Sequence, residues 1–190
     1  MASSEISDYK VPLIYTIGHS THLIDRFIGL LAMNEVRTVA DVRSYPASRR
    51  WPQFNQAELE GALGAANIEY QWMKPLGGRR HSLAAESPHQ AWTHPAFRSY
   101  ADHTGTAEFR NGLSNLAQAA AQSPLAFMCS EGLWWKCHRR IIADFMTVAG
   151  WRVVHILPDG KTSDHRVSEF ARIVEGGIIY DGGTTGQLLK

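Results

Sequence analysis

The chain has 190 residues, a formal net charge of +1 and 44% hydrophobic residues. That length suits one domain, the apolar content rules out global disorder, and the near-neutral balance argues against a broadly basic surface for non-specific DNA binding, leaving only a local basic patch. Two cysteines cannot build a secreted disulfide framework, Met1 to Glu5 lack the basic and apolar regions of a leader, and no apolar run reaches the ~18 residues of a membrane span, so a cytoplasmic protein is expected.

Residues 1–12 are polar and read as a flexible N-terminus. Leu13 to Ile17 reads as the first strand. Gly18-His19-Ser20-Thr21 follows, then a helix from about His22 to Asn34, with Ser20 or Thr21 as cap and Leu23, Phe27, Leu30 and Leu31 as its apolar face. Thr38 to Val42 is the second strand, and Arg43 to Pro52 a loop. Asn55 is placed to cap a helix through about Ala66, with Glu58 in capping-box position, and Asn67 ends it. Glu69 to Met73 is the third strand. Residues 77–105 read as a lid-like insertion with weak helical periodicity around Pro95 to Asp102. Ala107 to Ala121 is an alanine-rich helix. Leu125 to Cys129 is a short apolar fourth strand. A loop holding both cysteines follows it, then a helix running through Ile141 and ended by Gly150. Arg152 to Leu157 is the fifth strand, closed by the turn Pro158-Asp159-Gly160. A last helix is expected over about Asp164 to Val174, an edge strand at Ile178 to Tyr180, and a loose tail over 182–190.

Strands alternating with helices imply a single α/β domain over residues 13–181. It is expected to have three layers, with a mainly parallel, roughly five-stranded sheet covered by helices on both faces. Right-handed crossovers then send every strand-to-helix loop to one edge. That edge collects His19 and Ser20, then Asp41, Arg43, Ser48 and Arg49, then Gly77 to Arg80, and finally Cys129 to Arg139. The opposite loops, such as Asn34-Glu35 and Gln122-Ser123-Pro124, are plain turns.

The residue types in those loops point to chemistry on an anion. Two arginines and a histidine crowd the start of the helix after Cys137, where the macrodipole disfavours cations, so a negative group is expected to offset them. Arg43, Ser48, Arg49 and Arg139 form an anion-contacting set, with Ser20 at the rim and Asp41 as a ligand contact or as an ion-pair brace for Arg43. Gly77 and Gly78 allow close backbone approach to a ligand. Cys129 reads as a nucleophile or a buried structural thiol, and Cys137 has the better dipole position. Glu131, His19 and His138 supply acid or base groups. Cys129, Cys137, His138 and His19 are also ligand types that zinc prefers. Their spacing matches no standard short-range pattern, so no metal site is assigned and the cofactor stays open. Tyr45, Trp51, Phe54, Trp72, Trp134 and Trp135 can stack a base beside the arginines.

Five ordered blocks, Thr16-Ile17-Gly18-His19-Ser20, Asp41-Val42-Arg43-Ser44-Tyr45-Pro46-Ala47-Ser48-Arg49, Phe54-Asn55, Leu76-Gly77-Gly78, and Cys129-Ser130-Glu131 with Cys137-His138-Arg139, resemble the domain-of-unknown-function family numbered 488. The resemblance runs from about residue 13 to 156 and implies a compact intracellular α/β domain. Between Glu131 and Cys137 this chain has Gly-Leu-Trp-Trp-Lys, where many members carry a more polar run. Rhodanese-like sulfurtransferases also place a cysteine at a strand end, but their anion loop closes with an arginine about five residues on. Here that register holds Trp135, and the first arginine after Cys129 is Arg139.

The function expected from these residues is an enzyme, a hydrolase or transferase using Cys/His/Glu chemistry on a phosphate-bearing small molecule, nucleotide or nucleic acid. The alternatives are a non-catalytic module that binds nucleic acid or a modified base, and thiol chemistry or a Cys/His metal site.

Overall fold

The computed structural model describes residues 11–80 and 86–183. Strands β1 (Leu13–Gly18), β2 (Thr38–Asp41), β3 (Glu69–Trp72), β4 (Leu125–Cys129) and β5 (Arg152–Ile156) run parallel in the order β3-β2-β4-β1-β5. A sixth strand, β6 (Thr162–Asp164), returns antiparallel along β5 and closes that edge. β4 is buried along its whole length, which fits a central strand apolar on both faces.

Helices α1 (Ile24–Met33) and α2 (Gln56–Ala65) cover one face. Phe27, Leu30 and Leu31 of α1 and Leu59 and Leu63 of α2 pack with Ile17, Val39, Ala126, Met128 and Ile156. Helices α3 (Pro95–His103), α4 (Ala107–Gln122) and α5 (Arg139–Val148) cover the other. There Tyr100, Phe109, Leu116, Ile141, Ile142 and Met146 meet Ile14, Ala40, Phe127 and Val153. Each fully buried Leu, Ile or Phe contributes about 1.5–3 kcal/mol over exposure. The molecule is thus a three-layer α/β domain whose sheet is one strand wider than the periodicity implied.

The crossover after β1 leaves by the α1 face, whereas that after β4 leaves by the α5 face. Neighbouring strands whose connections part in this way open a crevice at their carboxyl ends.

Three local expectations need correction. Neither Ser20 nor Thr21 caps α1. Leu23 takes that position without a side-chain bond, and Ser20 instead adopts φ 50° in the preceding loop. Asn55 does sit at the start of α2, but its Oδ1 accepts from the Ser48 amide at 2.7 Å rather than from the helix, which ties the preceding loop down. The helix expected over Asp164 to Val174 is absent. That segment gives the end of β6 and then β7 (Ala171–Val174), which forms a separate hairpin with β8 (Gly177–Tyr180). β-branched Ile173, Val174, Ile178 and Ile179 favour extended chain, and Gly176, at φ +76°, turns it back.

Part of the insertion over 77–105 packs onto the domain. Trp92, Tyr100 and Ala101 are buried in the second core layer, and the Tyr100 hydroxyl donates to the Leu76 carbonyl at 2.8 Å. Residues 1–10, 81–85 and 184–190 lie outside the described residues. With them go the N-terminal stretch, part of the insertion and the end of the tail. Among the described residues no helix is long and apolar enough to cross a membrane.

Candidate functional site

The parallel ladder continues past the ends of the central strands. The His19 amide donates to the Cys129 carbonyl and the Ser20 amide to the Ser130 carbonyl, both at 2.9 Å, and the Val42 amide donates to the Met128 carbonyl at 2.9 Å. The segments after β1, β2 and β4 therefore emerge side by side. Gly18 permits this closeness, since a Cβ there would lie 1.8 Å from the Glu131 carbonyl oxygen.

Arg43 and His19 form one side of the floor. The Arg43 guanidinium is buried against Asp41, with Nη2 at 2.5 Å from Oδ2 and Nε at 2.9 Å from Oδ1 and Oδ2, and Nη1 donates to the Phe54 carbonyl at 2.8 Å. Tyr70 adds a hydroxyl bond to the same carboxylate at 2.8 Å. Asp41 thus braces Arg43, and the pair is an internal joint between β2 and the loop after it. His19 Nδ1 lies 3.0 Å from the Ser20 carbonyl, so the proton sits on Nδ1 and the Nε2 lone pair faces Arg43 Nη1 at 3.4 Å. Burial first, and Arg43 second, lower its pKa to about 4. The ring is neutral near pH 7 and stacks on Phe54 at 4.2 Å.

Cys129, Cys137 and His138 form the other side. The two sulfurs lie 3.8 Å and 3.5 Å from His138 Nδ1, and all three donor atoms fall within 4.8 Å of one another. His138 Nε2 donates to the Val42 carbonyl at 2.9 Å, which leaves the Nδ1 lone pair facing the sulfurs. The thiols are coupled. Cys129 is pushed up by the hydrogen bond with Cys137 and by burial. Burial raises Cys137 too, but the Cys129 thiol and Arg139 outweigh it, and the thiolate is favoured on Cys137.

Arg139 does not face this centre as an anion ligand, contrary to the sequence reading. It is almost wholly buried. Its Nη1 donates to Thr16 Oγ1 at 3.0 Å and its Nη2 to the Glu131 carbonyl. From Thr16 a directed chain crosses the protein. Thr16 Oγ1 donates to His155 Nδ1 at 3.1 Å, His155 Nε2 to His165 Nδ1 at 2.9 Å, and His165 Nε2 to Asp144 Oδ1 at 2.8 Å. This order holds with a neutral His165, whose Nε2 proton goes to Asp144 because the carboxylate can only accept. Asp144 also accepts from the Ser168 amide and hydroxyl, both at 2.9 Å, and from the Tyr180 hydroxyl at 3.0 Å. Sequence reasoning missed this network. Asp144 inside the apolar run of α5 and His155 inside the apolar run of β5 were its visible signs. Trp134 covers it by stacking on His155 at 4.0 Å, so only Trp135 of the tryptophan pair lines the cleft.

Above the floor lies an open cleft of about 1580 Å³. His19, Ser20, Arg43, Ser48, Arg49, Gly78, Cys129, Glu131, Cys137 and His138 all reach it, whereas Asp41, Gly77 and Arg139 stand behind it. Gly77 packs against Ser44, whose hydroxyl accepts from the Arg79 amide at 2.7 Å, and so joins two rim loops. Ser48 Oγ accepts from the Trp51 amide at 3.0 Å. The rim carries exposed Arg49, Arg50, Arg79 and Lys136, none of them in an ion pair among the described residues, and Glu131 is the one carboxylate among the described lining residues. Arg50 lies over Trp51 at 5.5 Å and Arg79 over Tyr45 at 5.8 Å.

The family model described as "Domain of unknown function DUF488" matches residues 23–146. No curated protein and no solved structure matches the chain.

Proposed function

The chain belongs to the DUF488 family, whose description names no reaction, and from the site we propose that it binds a phosphate-bearing ligand, a nucleotide or a nucleic acid end. The observation that carries this reading is the charge of the rim. Among the described lining residues, Arg49, Arg50, Arg79 and Lys136 stand against Glu131 alone, in a protein of net charge +1. An acidic guest offsets that local excess, and guanidinium groups recognise phosphate oxygens in bidentate fashion. Tyr45, Trp51 and Trp135 line the same cleft and offer ring faces for a base.

The Cys129, Cys137 and His138 centre lies on the floor beneath that guest, and His19 and Glu131 border it. In this reading the centre acts on the bound group as a hydrolase or transferase. His19 enters as a neutral hydrogen-bonding group that positions Arg43, because its Nε2 lone pair is turned to that guanidinium.

The test is fluorescence titration of Trp51 and Trp135 with a 5′-phosphorylated single-stranded oligonucleotide, its unphosphorylated twin and a mononucleotide. Arg49→Glu and Arg79→Glu are each expected to weaken binding of phosphorylated ligands by about tenfold or more and to flatten the salt dependence. Binding that ignores both reversals, or no binding of any of the ligands, would refute the reading.

A further inference from the structure

We propose that Cys129, Cys137 and His138 form a zinc site with three protein ligands and a fourth position open to the cleft. The assignment rests on ligand geometry and stands whether or not the rim binds phosphate.

Zinc bonds thiolate sulfur at about 2.3 Å and imidazole nitrogen at about 2.0–2.1 Å, so tetrahedral angles put sulfur and nitrogen about 3.6 Å apart. Here the sulfurs of Cys129 and Cys137 stand 3.8 Å and 3.5 Å from His138 Nδ1. Both sulfur–nitrogen edges therefore already match a coordination tetrahedron, and the two sulfurs lie within 4.8 Å of each other. Thiolate and imidazole select zinc-class ions over magnesium or calcium, which prefer oxygen.

The imidazole is set as a ligand would be. Its far nitrogen is tied to the Val42 carbonyl at 2.9 Å, which fixes both the tautomer and the ring plane. Metal-bound histidines characteristically make this outer bond. Val42 follows β2, Cys129 ends β4 and His138 precedes α5, so the three parts of the site are held by regular elements.

The imidazole is seated against a glycine. A Cβ at Gly78 would lie 2.4 Å from His138 Nδ1 and 2.7 Å from its Cε1 and Cγ, over the ring face. Any side chain at that position would push the ring out of the place that aims Nδ1 at the sulfurs.

Among the described residues no fourth protein ligand closes the site. His19, the remaining histidine of the sequence-derived set, turns its lone pair to Arg43. Cys129, Cys137 and His138 all line the cleft, so the remaining position faces a ligand or water. Three protein ligands with one open place is the arrangement of catalytic rather than structural zinc.

The full chain, purified after growth in zinc-supplemented medium, is expected to hold about one zinc per molecule by elemental analysis. Cobalt(II) added to the stripped protein should give thiolate-to-cobalt charge-transfer absorption and the visible bands of tetrahedral cobalt. His138→Gln should lower cobalt affinity by more than the roughly 10–100-fold that outer-shell changes cost. Gly78→Ala, which keeps all three ligands, should lower it as well. A measurement on the unaltered protein stands beside the variants: zinc should protect both thiols from iodoacetamide, and a chelator should restore their reaction. Absence of zinc with no cobalt uptake, thiols alkylated equally with and without zinc, or cobalt affinity unchanged in a folded His138→Gln protein would overturn the assignment.

Discussion

Arg139 follows His138 directly, and besides favouring the Cys137 thiolate it anchors a buried network behind the site. Its guanidinium is drawn inward by Thr16 and the Glu131 carbonyl, and the hydrogen-bonded chain behind Thr16 ends on the buried carboxylate of Asp144. That carboxylate accepts from His165, twice from Ser168 and once from Tyr180. Asp144→Ala would strand those donors in a site that water does not reach. We expect a loss of about 3–5 kcal/mol in denaturant unfolding. A loss under about 1 kcal/mol would show the network to be incidental. Sequence spacing identified Arg139 as unusual, a cation at a helix start to be offset by Glu131, Asp41 or an external anion. Its actual side-chain partner, Thr16, lies far off along the chain, as do His155 and His165 behind it, and no local pattern links them.

At the level of elements, the central strands were legible because each is a short apolar run between turn residues. Their bounds in the sequence reading match the observed ones at β4 and differ by one residue at the carboxyl end of the other four. The C-terminal segment was misread because Val167, Phe170, Ala171 and Val174 fall at spacings compatible with a helix. The hairpin is decided instead by the β-branched pairs on both sides of Gly176, a signal of composition rather than period. The glycines show how an element's surroundings set the sign of a substitution. Gly18→Ala would drive a Cβ to 1.8 Å from the backbone oxygen of Glu131, and we expect a cost of about 1–3 kcal/mol with displacement of the loop after β4. Gly29→Ala, within α1, meets nothing within 4 Å and should stabilise by about 0.5–1 kcal/mol. Thermal unfolding of the two variants, moving in opposite directions, checks the pair. If both moved the same way, the close approach at Gly18 would not be the constraint described.

For the molecule as a whole, acid sensitivity follows from its buried histidines. Burial first, then its charged neighbours, lower His155 to about 2 from the ordinary 6.5, and His19 is lowered to about 4. Below pH 6.5 the unfolded chain takes up protons at these positions while the folded chain does not. Each histidine therefore removes about 1.4 kcal/mol of stability per pH unit, down to pH about 4 for His19 and further for His155. Denaturant midpoints measured from pH 7.5 to 5 should fall steadily below 6.5. A flat profile over that range would mean that the two rings are not held neutral. The convergence of four distant loops on one edge was readable from the alternation of strands and helices alone. The division of those loops into a floor and a rim was not, because it depends on which side chains find buried partners.

That division has a thermodynamic consequence. The floor is an extension of the sheet: the amides of His19, Ser20 and Val42 are bonded to neighbouring carbonyls, and Gln56 N is bonded to the Pro46 carbonyl beyond them. On the proposed reading, a guest that settled there would find its contacts preformed and order almost no backbone. The conformational entropy lost on association would then fall on the long solvent-facing arms of Arg49, Arg50, Arg79 and Lys136, at about 0.5–1.5 kcal/mol for each one immobilised. Guests of differing outline would then share one rigid seat, each gripped by a different subset of those arms.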